Sequence, residues 1–410
     1  MKILRAYKTE LDPTCKQVKM LLQHAGCARY AYNWGLRKKI EAYKTTGKSP
    51  SAIDLHRELN KLKKLSLENG GVPWMYESSK CAPQEALRNL DSAYKSFFRR
   101  CKSGSKAKGF PRFKSRKNGI GSFRLTGTIR ASEQTVQLPS LGSLRLKEYG
   151  YLPTEDARVL SATVSEQAGR WYVSLQVEQE LAEPEAKPVH AVGVDVGIKC
   201  LATTSDGEVF DNPKALVSAA HSLRARQKAV SRKQKGSSNR RKAVRRVAML
   251  HQRISNIRKD ALHKMTTAIA KSASIIVIET LNVVGMMKNH CLARALSDAS
   301  LAEIHRQLKY KAKWHGVEII EAGRFFPSSK TCSCCGNVKA SLSLSERTYV
   351  CEVCGFKEDR DVNAAINLRN VAVSSTVEKA CCPESSGSSR KARTKLLVGQ
   401  EPNRENQINV

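Results

Sequence analysis

AVGVDVGIKCLATTSDGEVFD, residues 191–211, reads as an apolar strand carrying Asp195, a glycine turn and a second strand. A carboxylate in an otherwise buried strand costs on the order of several kcal/mol unless it is paired or binds a cation. Asp195 therefore needs a reason to stand there. The next apolar run, SIIVIETLNV (274–283), places Glu279 at the edge of a buried β segment after a long helical crossover. A third acid, Asp361, lies in EDRDVNAAINL (358–368), where a helix starts.

That order of acids is the one expected of a ribonuclease H-like fold. Carboxylates from the first strand, a later parallel strand and a C-terminal helix then converge at one end of the sheet to hold divalent metal. Asp195, Glu279 and Asp361 are the expected ligands. Magnesium suits them because it prefers hard oxygen donors and keeps waters of its own. Two such ions roughly 3.5–4 Å apart serve both oxygens of a phosphodiester displacement, and manganese can replace magnesium. The alternative to Asp361 in EDRDV is Asp359, which is read instead as the cap of a helix beginning near Val362.

Close to Asp361 stand two C-x2-C knuckles, Cys332/Cys335 and Cys351/Cys354. Four thiolates at that spacing close a tetrahedral structural zinc site. Cys334 falls inside the first knuckle but does not repeat its spacing. The other cysteines (Cys15, Cys27, Cys81, Cys101, Cys200, Cys291, Cys381, Cys382) follow no disulfide framework, which fits free thiols in a reducing, cytoplasmic compartment.

With 71 Lys+Arg against 37 Asp+Glu, the 410-residue chain carries a formal charge of +34, the footprint of a polyanion binder. Hydrophobic residues make up 41% of it, enough for two or three cores and too many for wholesale disorder. No apolar run reaches the roughly 18 residues of a membrane span, and MKILRAYKTELDP lacks an apolar signal core, so neither a membrane nor secretion is indicated. Between Asp195 and Glu279, residues 213–272 are dominated by Lys and Arg. They read as a pair of basic helices joined at Gly236-Ser237-Ser238 and suited to a duplex backbone, with His263 structural.

The N-terminal half changes period along its length. Residues 1–11 alternate as a strand, and helical patterning follows over 13–101, with CARYAYNWGLRKKIEAYK and QEALRNLDSAYKSFFRRCK holding apolar residues at helical spacing. CKSGSKAKGFPRFKSRK (101–117) is basic, irregular and fit to follow a phosphate backbone. Beyond it, TVQLPSL, SLRLKEY, VLSATVS and WYVSLQVEQE alternate as strands, the last with Trp171, Val173, Leu175 and Val177 on one face. These form an antiparallel unit, read as a barrel, into which the helices are inserted.

Several of these stretches together resemble TnpB, the transposon-encoded relative of type V CRISPR effectors: YAYNWGL (30–36), ALRNLDSAYKSFF (86–98), KGFPRFKSRK (108–117), GVDVGIK (193–199), the glutamate of VIETLNV, FFPSSKTCSCCG (325–336) and CEVCGFKEDRDVNAAINL (351–368). The resemblance implies an RNA-guided DNA endonuclease. It would be a monomer in a ribonucleoprotein with a guide RNA from the transposon end, cutting double-stranded DNA next to a short transposon-adjacent motif.

The same resemblance implies a multidomain α+β protein. Residues 1–12 and 102–182 form the β-barrel wedge domain and 13–101 its helical recognition insertion. Residues 183–188 are a linker, 189–325 and 356–372 a RuvC-like α/β nuclease domain, 326–355 an inserted zinc ribbon, and 373–410 a disordered tail. Asp195, Glu279 and Asp361 match the catalytic triad, and Cys332, Cys335, Cys351 and Cys354 the zinc ligands. Lys80, Gln84 and Thr126 fall where family members contact the adjacent DNA motif. Pro83 and Gly127 depart from the pattern there, which leaves the preferred motif open. The rival readings are a nuclease-inactive RNA-guided regulator, a strand-joining transposase and a plain zinc-ribbon DNA binder.

Overall fold

The computed structural model describes residues 2–380 apart from 106, 155–156, 181, 183–187 and 344. The expected linker over 183–188 therefore lies, but for Pro188, outside the described residues, as do Cys381, Cys382 and the tail beyond 380.

The chain opens with strand β1 (Lys2–Leu11) and turns at Asp12-Pro13 into helix α1 (Cys15–Thr46). Thr14 and Gln17 form a reciprocal cap, the Gln17 N–H donating to Thr14 Oγ1 at 3.3 Å and the Thr14 N–H to Gln17 Oε1 at 2.9 Å. α2 (Ala52–Lys64) and α3 (Cys81–Lys102) pack back on α1 through Leu21, Ala28, Leu36, Leu55, Leu59, Leu87 and Leu90. Gly35 sets how closely α1 and α3 approach, since a Cβ there would lie 2.6 Å from Leu87 Cδ2.

β2 (Ser122–Leu125), β3 (Arg130–Ala131), β4 (Thr135–Leu138), β5 (Gly142–Arg145), β6 (Ala157–Gln167) and β7 (Arg170–Glu180) follow. The expected single barrel appears as two antiparallel sheets, one ordered β1-β7-β6-β2 and the other β3-β4-β5. They meet where the end of β1 crosses the end of β5. There Leu11 bridges Leu146, the Asp12 N–H donates to Arg145 O at 2.8 Å and the Lys147 N–H to Glu10 O at 3.0 Å. Trp171, Val173, Leu175 and Val177 are buried on one face, as their alternation requires, in a core shared with Val136, Leu144 and Leu146. Ala168 and Gly169, both at positive φ (55° and 84°), make the two-residue turn between β6 and β7.

The second half begins with β8 (Ala191–Asp195), β9 (Cys200–Thr204) and β10 (Val209–Asp211). Next come the short α4 (Ala215–Ser218), then α5 (Ala220–Ser231) and α6 (Ser238–Ser272), the two basic helices anticipated between the acids. Ser237 caps α6, accepting from the Arg240 N–H at 3.1 Å. β11 (Ile275–Glu279), α7 (Val283–Met286), α8 (His290–Ala299), α9 (Leu301–His315) and β12 (Glu318–Ala322) complete a five-stranded sheet ordered β10-β9-β8-β11-β12. β8, β11 and β12 are parallel, β9 runs against them, and β10, antiparallel to β9, runs with them again.

The last elements are the hairpin β13 (Thr348–Val350) and β14 (Lys357–Asp359), which runs directly into α10 (Arg360–Ala380). Alternation sorts the sheet's two faces. Val192, Val194, Ile276 and Ile278 pack against α6 and α9, whereas Val277 and Ala322 pack against Leu368 and Ala372 of α10. α10 continues past the boundary at 372 suggested by the sequence, because the first helix breaker after Asp361 is Pro383.

Candidate active site and metal centre

Asp195 closes β8 and Glu279 closes β11, its parallel neighbour, in a register that sets Val194 against Ile278. Asp361 stands in the first turn of α10, which lies across β8. The three acids from distant parts of the chain thus reach the same end of one sheet. Burial, followed by the charges of Glu279 and Asp361, pushes the Asp195 carboxyl up to about 7, with Arg360 opposing. A divalent cation would reverse that penalty, since it favours the charged form of every carboxylate around it.

Each acid is held differently. The Ser328 hydroxyl donates to Glu279 Oε1. Arg360 donates to Asp361 Oδ1 from Nε at 3.3 Å and from Nη2 at 3.2 Å, and Arg347 Nη1 lies 4.0 Å from Asp361 Oδ2. Asp359 Oδ1 accepts from the Asp361 N–H at 2.8 Å and the Val362 N–H at 3.3 Å, so Asp359 caps the helix. Among the described residues, only the four cysteines bring three or more ligand atoms within 4.8 Å of one another. The three carboxylates are coupled through their charges, the relationship that divalent ions shared among them would exploit.

The cysteine cluster has the size of a zinc site. A tetrahedron of thiolates with zinc–sulfur bonds of about 2.3 Å separates its sulfurs by roughly 3.8 Å. Here Cys332 and Cys354 are 3.7 Å apart and Cys335 and Cys351 3.5 Å. The backbone amides of Cys354 and Val353 lower the Cys351 thiol, whereas Cys335 and Cys354, crowded by the neighbouring sulfurs, are raised, so the four ionise together only with a cation among them. Cys334 is exposed and outside the cluster.

The ribbon is tied to the carboxylates by two buried asparagines of α10 that sequence reading passed over. Asn363 Oδ1 accepts from the Ser333 N–H at 3.0 Å, and its Nδ2 donates to Thr331 O at 2.8 Å. Asn367 Nδ2 donates to Thr331 O at 2.7 Å and to Ser328 O at 2.8 Å. Ser328 is the residue that bonds Glu279, so α10 clamps one segment that carries both Cys332 and the Glu279 partner. The signal was present in VNAAINL, where two amides one helical turn apart interrupt an apolar face.

The three residues matched to DNA-motif reading also come together. Lys80 is exposed at the N-terminus of α3, Gln84 lies about one turn on, and Thr126 follows β2. Cys81 links the two elements, its thiol donating to Thr126 O at 3.3 Å and accepting from Thr126 Oγ1 at 3.5 Å. Pro83 is buried inside the first turn of α3, where a missing N–H costs nothing.

Family profiles match the chain over residues 162–290 (described as "Probable transposase"), 302–368 ("Cas12f1-like, TNB domain") and 1–48 ("Helix-turn-helix domain"). The last of these covers β1 and the single helix α1. A "Putative RNA-guided DNA endonuclease" of Streptomyces pristinaespiralis is 37% identical over 98% of this chain and 97% of its own length. "Putative RNA-guided DNA endonuclease InsQ" of Escherichia coli K12 is 32% identical over 90% of this chain and 92% of its own. Among solved structures, a Cas12f1–sgRNA–target DNA complex aligns at 16% identity and a TM-score of 0.34, covering 90% of this chain and 99% of that one. On the strength of its end-to-end sequence relatives, the chain belongs to the TnpB family.

Proposed function

We propose that this protein is an RNA-guided DNA endonuclease of a transposable element, which hydrolyses phosphodiester bonds in double-stranded DNA next to a short adjacent motif. The observation that carries the reading is Asp195, a carboxyl raised to about 7 by burial and by Glu279 and Asp361 at the end of a parallel strand pair. Such a site is costly without a cation and well suited to one. The sheet with α10 serves as the RuvC-like nuclease domain, and the sheets of the N-terminal half with their helical insertion serve as the wedge and recognition domains.

Magnesium, or manganese in its place, would polarise the phosphate and activate water when held by Asp195, Glu279 and Asp361. The protein's own part is positional. Ser328 fixes the Glu279 carboxylate, Arg360 restrains Asp361, and Asp359 starts the helix that presents it. Zinc at Cys332, Cys335, Cys351 and Cys354 would act structurally, holding the segment that ends at Ser328. Lys80, Gln84 and Thr126 would read the adjacent motif, while the +34 charge and the α5–α6 hairpin bind the guide RNA and DNA backbones as one monomeric ribonucleoprotein.

The test is to purify the protein from cells, sequence the RNA that accompanies it, and challenge the complex with a matched plasmid library in magnesium. Cleavage confined to plasmids that match the RNA supports the reading. Strand joining without any RNA would instead make the protein a transposase.

A further inference from the structure

Beside the carboxylates one aromatic ring stands almost wholly in solvent. Phe325 is 89% exposed, whereas its neighbour Phe326 packs with Val277, Ala322 and Leu368 against the sheet. Exposed apolar residues are common on protein surfaces, so exposure alone says little. Position and rigidity carry the case here.

Phe325 belongs to the turn that leaves β12, whose last residue, Ala322, pairs with Glu279. The Thr280 hydroxyl donates to Ala322 O at 2.9 Å on one side of this turn, and Ser328 bonds Glu279 on the other. The turn itself is stiff. The Phe326 N–H donates to Gly323 O at 2.9 Å, the Ser328 N–H to Phe326 O at 2.9 Å, and the Thr331 N–H to Pro327 O at 3.0 Å. Asn367 anchors the Ser328 carbonyl, and Pro327 fixes its own φ. A rigid backbone at the mouth of the site thus presents a bare ring, with the Arg324 guanidinium 5.6 Å from its centroid.

We propose that Phe325 is a stacking platform for a nucleobase of the single DNA strand being cut, with Arg324 supplying positive charge to the adjoining phosphate. The occupant is a single strand because the bases of a duplex are already stacked and cannot lie on an outside ring. Stacking tolerates every base, which suits a nuclease whose sequence choice is made by pairing elsewhere. This inference rests on the nuclease reading above.

The test uses the full-length protein loaded with its guide RNA and a single-stranded target carrying 2-aminopurine at successive positions. Quenching at one or two neighbouring positions is expected for the wild-type protein and for Asp195→Ala, lost in Phe325→Ala and kept in Phe325→Trp. Base–aromatic stacking implies that Phe325→Ala lowers kcat/KM for cleavage about tenfold, with Phe325→Trp close to the parent. Guide-dependent binding of duplex DNA should be the same in all of them. Unchanged quenching and cleavage in Phe325→Ala overturns the proposal, and so does a fall in its self-association with cleavage intact, which would assign the ring to a second copy of the chain. Quenching is read without cleavage. A wild-type complex that quenches but never cuts rejects the nuclease reading, whereas normal cutting by Phe325→Ala rejects only the stacking.

Discussion

Gly193 in β8 faces the Ala365 carbonyl of α10 so closely that a Cβ on Gly193 would overlap that oxygen and lie 2.6 Å from the Arg369 backbone nitrogen. The absence of a side chain at Gly193 is what lets α10 lie flat on the strand that ends in Asp195. Gly193→Ala should lift the helix and carry Asp361 away from Asp195. Overpacking of this kind costs about 1–3 kcal/mol, because neither backbone can yield locally. We expect a lower melting temperature and at least roughly a hundredfold loss of cleavage, since a displacement near 1 Å is enough for that. Parent-like cleavage by the Ala variant would show that α10 need not sit there.

Asp195→Asn should abolish cleavage and leave guide and target binding intact. It should also stabilise the metal-free protein near neutral pH. The folded carboxyl keeps its proton up to about 7, whereas its ordinary value is 3.8. Between those values the folded state binds more protons than the unfolded chain, so the stability of the metal-free protein falls as pH rises through the window. Asparagine lacks that slope. Melting curves in a chelator at pH 5 and pH 7.5 check this; an Asn variant that melts below the parent at pH 7.5 refutes it.

Cys351→Ser should lower the zinc stoichiometry and, through Thr331 and Ser328, loosen Glu279. Zinc contributes on the order of 10 kcal/mol to such small modules. Asn367→Ala separates the two effects. It leaves the Ser328 carbonyl without its Asn367 donor, a loss of about 1–3 kcal/mol for one buried group left unpaired, and takes one of two amide donors from Thr331 O, with the four thiols untouched. Its zinc content should match the parent while cleavage falls, as read by metal analysis beside a cleavage assay.

Lys311 is buried between α9 and α6, its ammonium donating at 2.7 Å to His263 O, Thr266 Oγ1 and Thr267 Oγ1. Burial lowers it from 10.5 to about 8. Above that value the folded state holds fewer protons than the unfolded chain, so stability from this group rises with pH up to about 10.5, and the full penalty is present below 8. Lys311→Met removes the ammonium. The urea midpoint of the parent should rise relative to that of the variant from pH 7 to pH 10; a constant difference would mean the ammonium carries no penalty.

The exposed arginines and lysines of α5 and α6 should make DNA binding strongly dependent on salt. If roughly six to ten phosphates are neutralised, affinity falls about a thousandfold or more between ~50 and ~200 mM salt. Charge reversal at Arg241 and Arg246 should flatten that dependence in a filter-binding or fluorescence titration.

Much of the proposed site was legible because the rules that point to it are local. The knuckle spacing of Cys332/Cys335 and Cys351/Cys354, the acid inside AVGVD and the acid closing IIVIE each conflict with or satisfy a rule that acts over a few residues. The basic hairpin of α5 and α6 and the alternation of β7 were readable for the same reason. The barrel could not be read this way. Whether strands close on one another depends on hydrogen bonds between distant segments, and here the end of β1 joins the end of β5 through the antiparallel bridge of Leu11 and Leu146, which links the two sheets.

The sequence by itself singled out the side chains proposed for the chemistry, because residue type and short-range spacing set ligand hardness, helix starts and strand period. Only the tertiary structure decided how those side chains are held. Gly193 under α10, Ser328 on Glu279 and the Asn363–Asn367 clamp to the ribbon join residues far apart along the chain. Such contacts arise from close packing and from the need to satisfy buried polar groups, and neither leaves a periodic trace in the residues that make them.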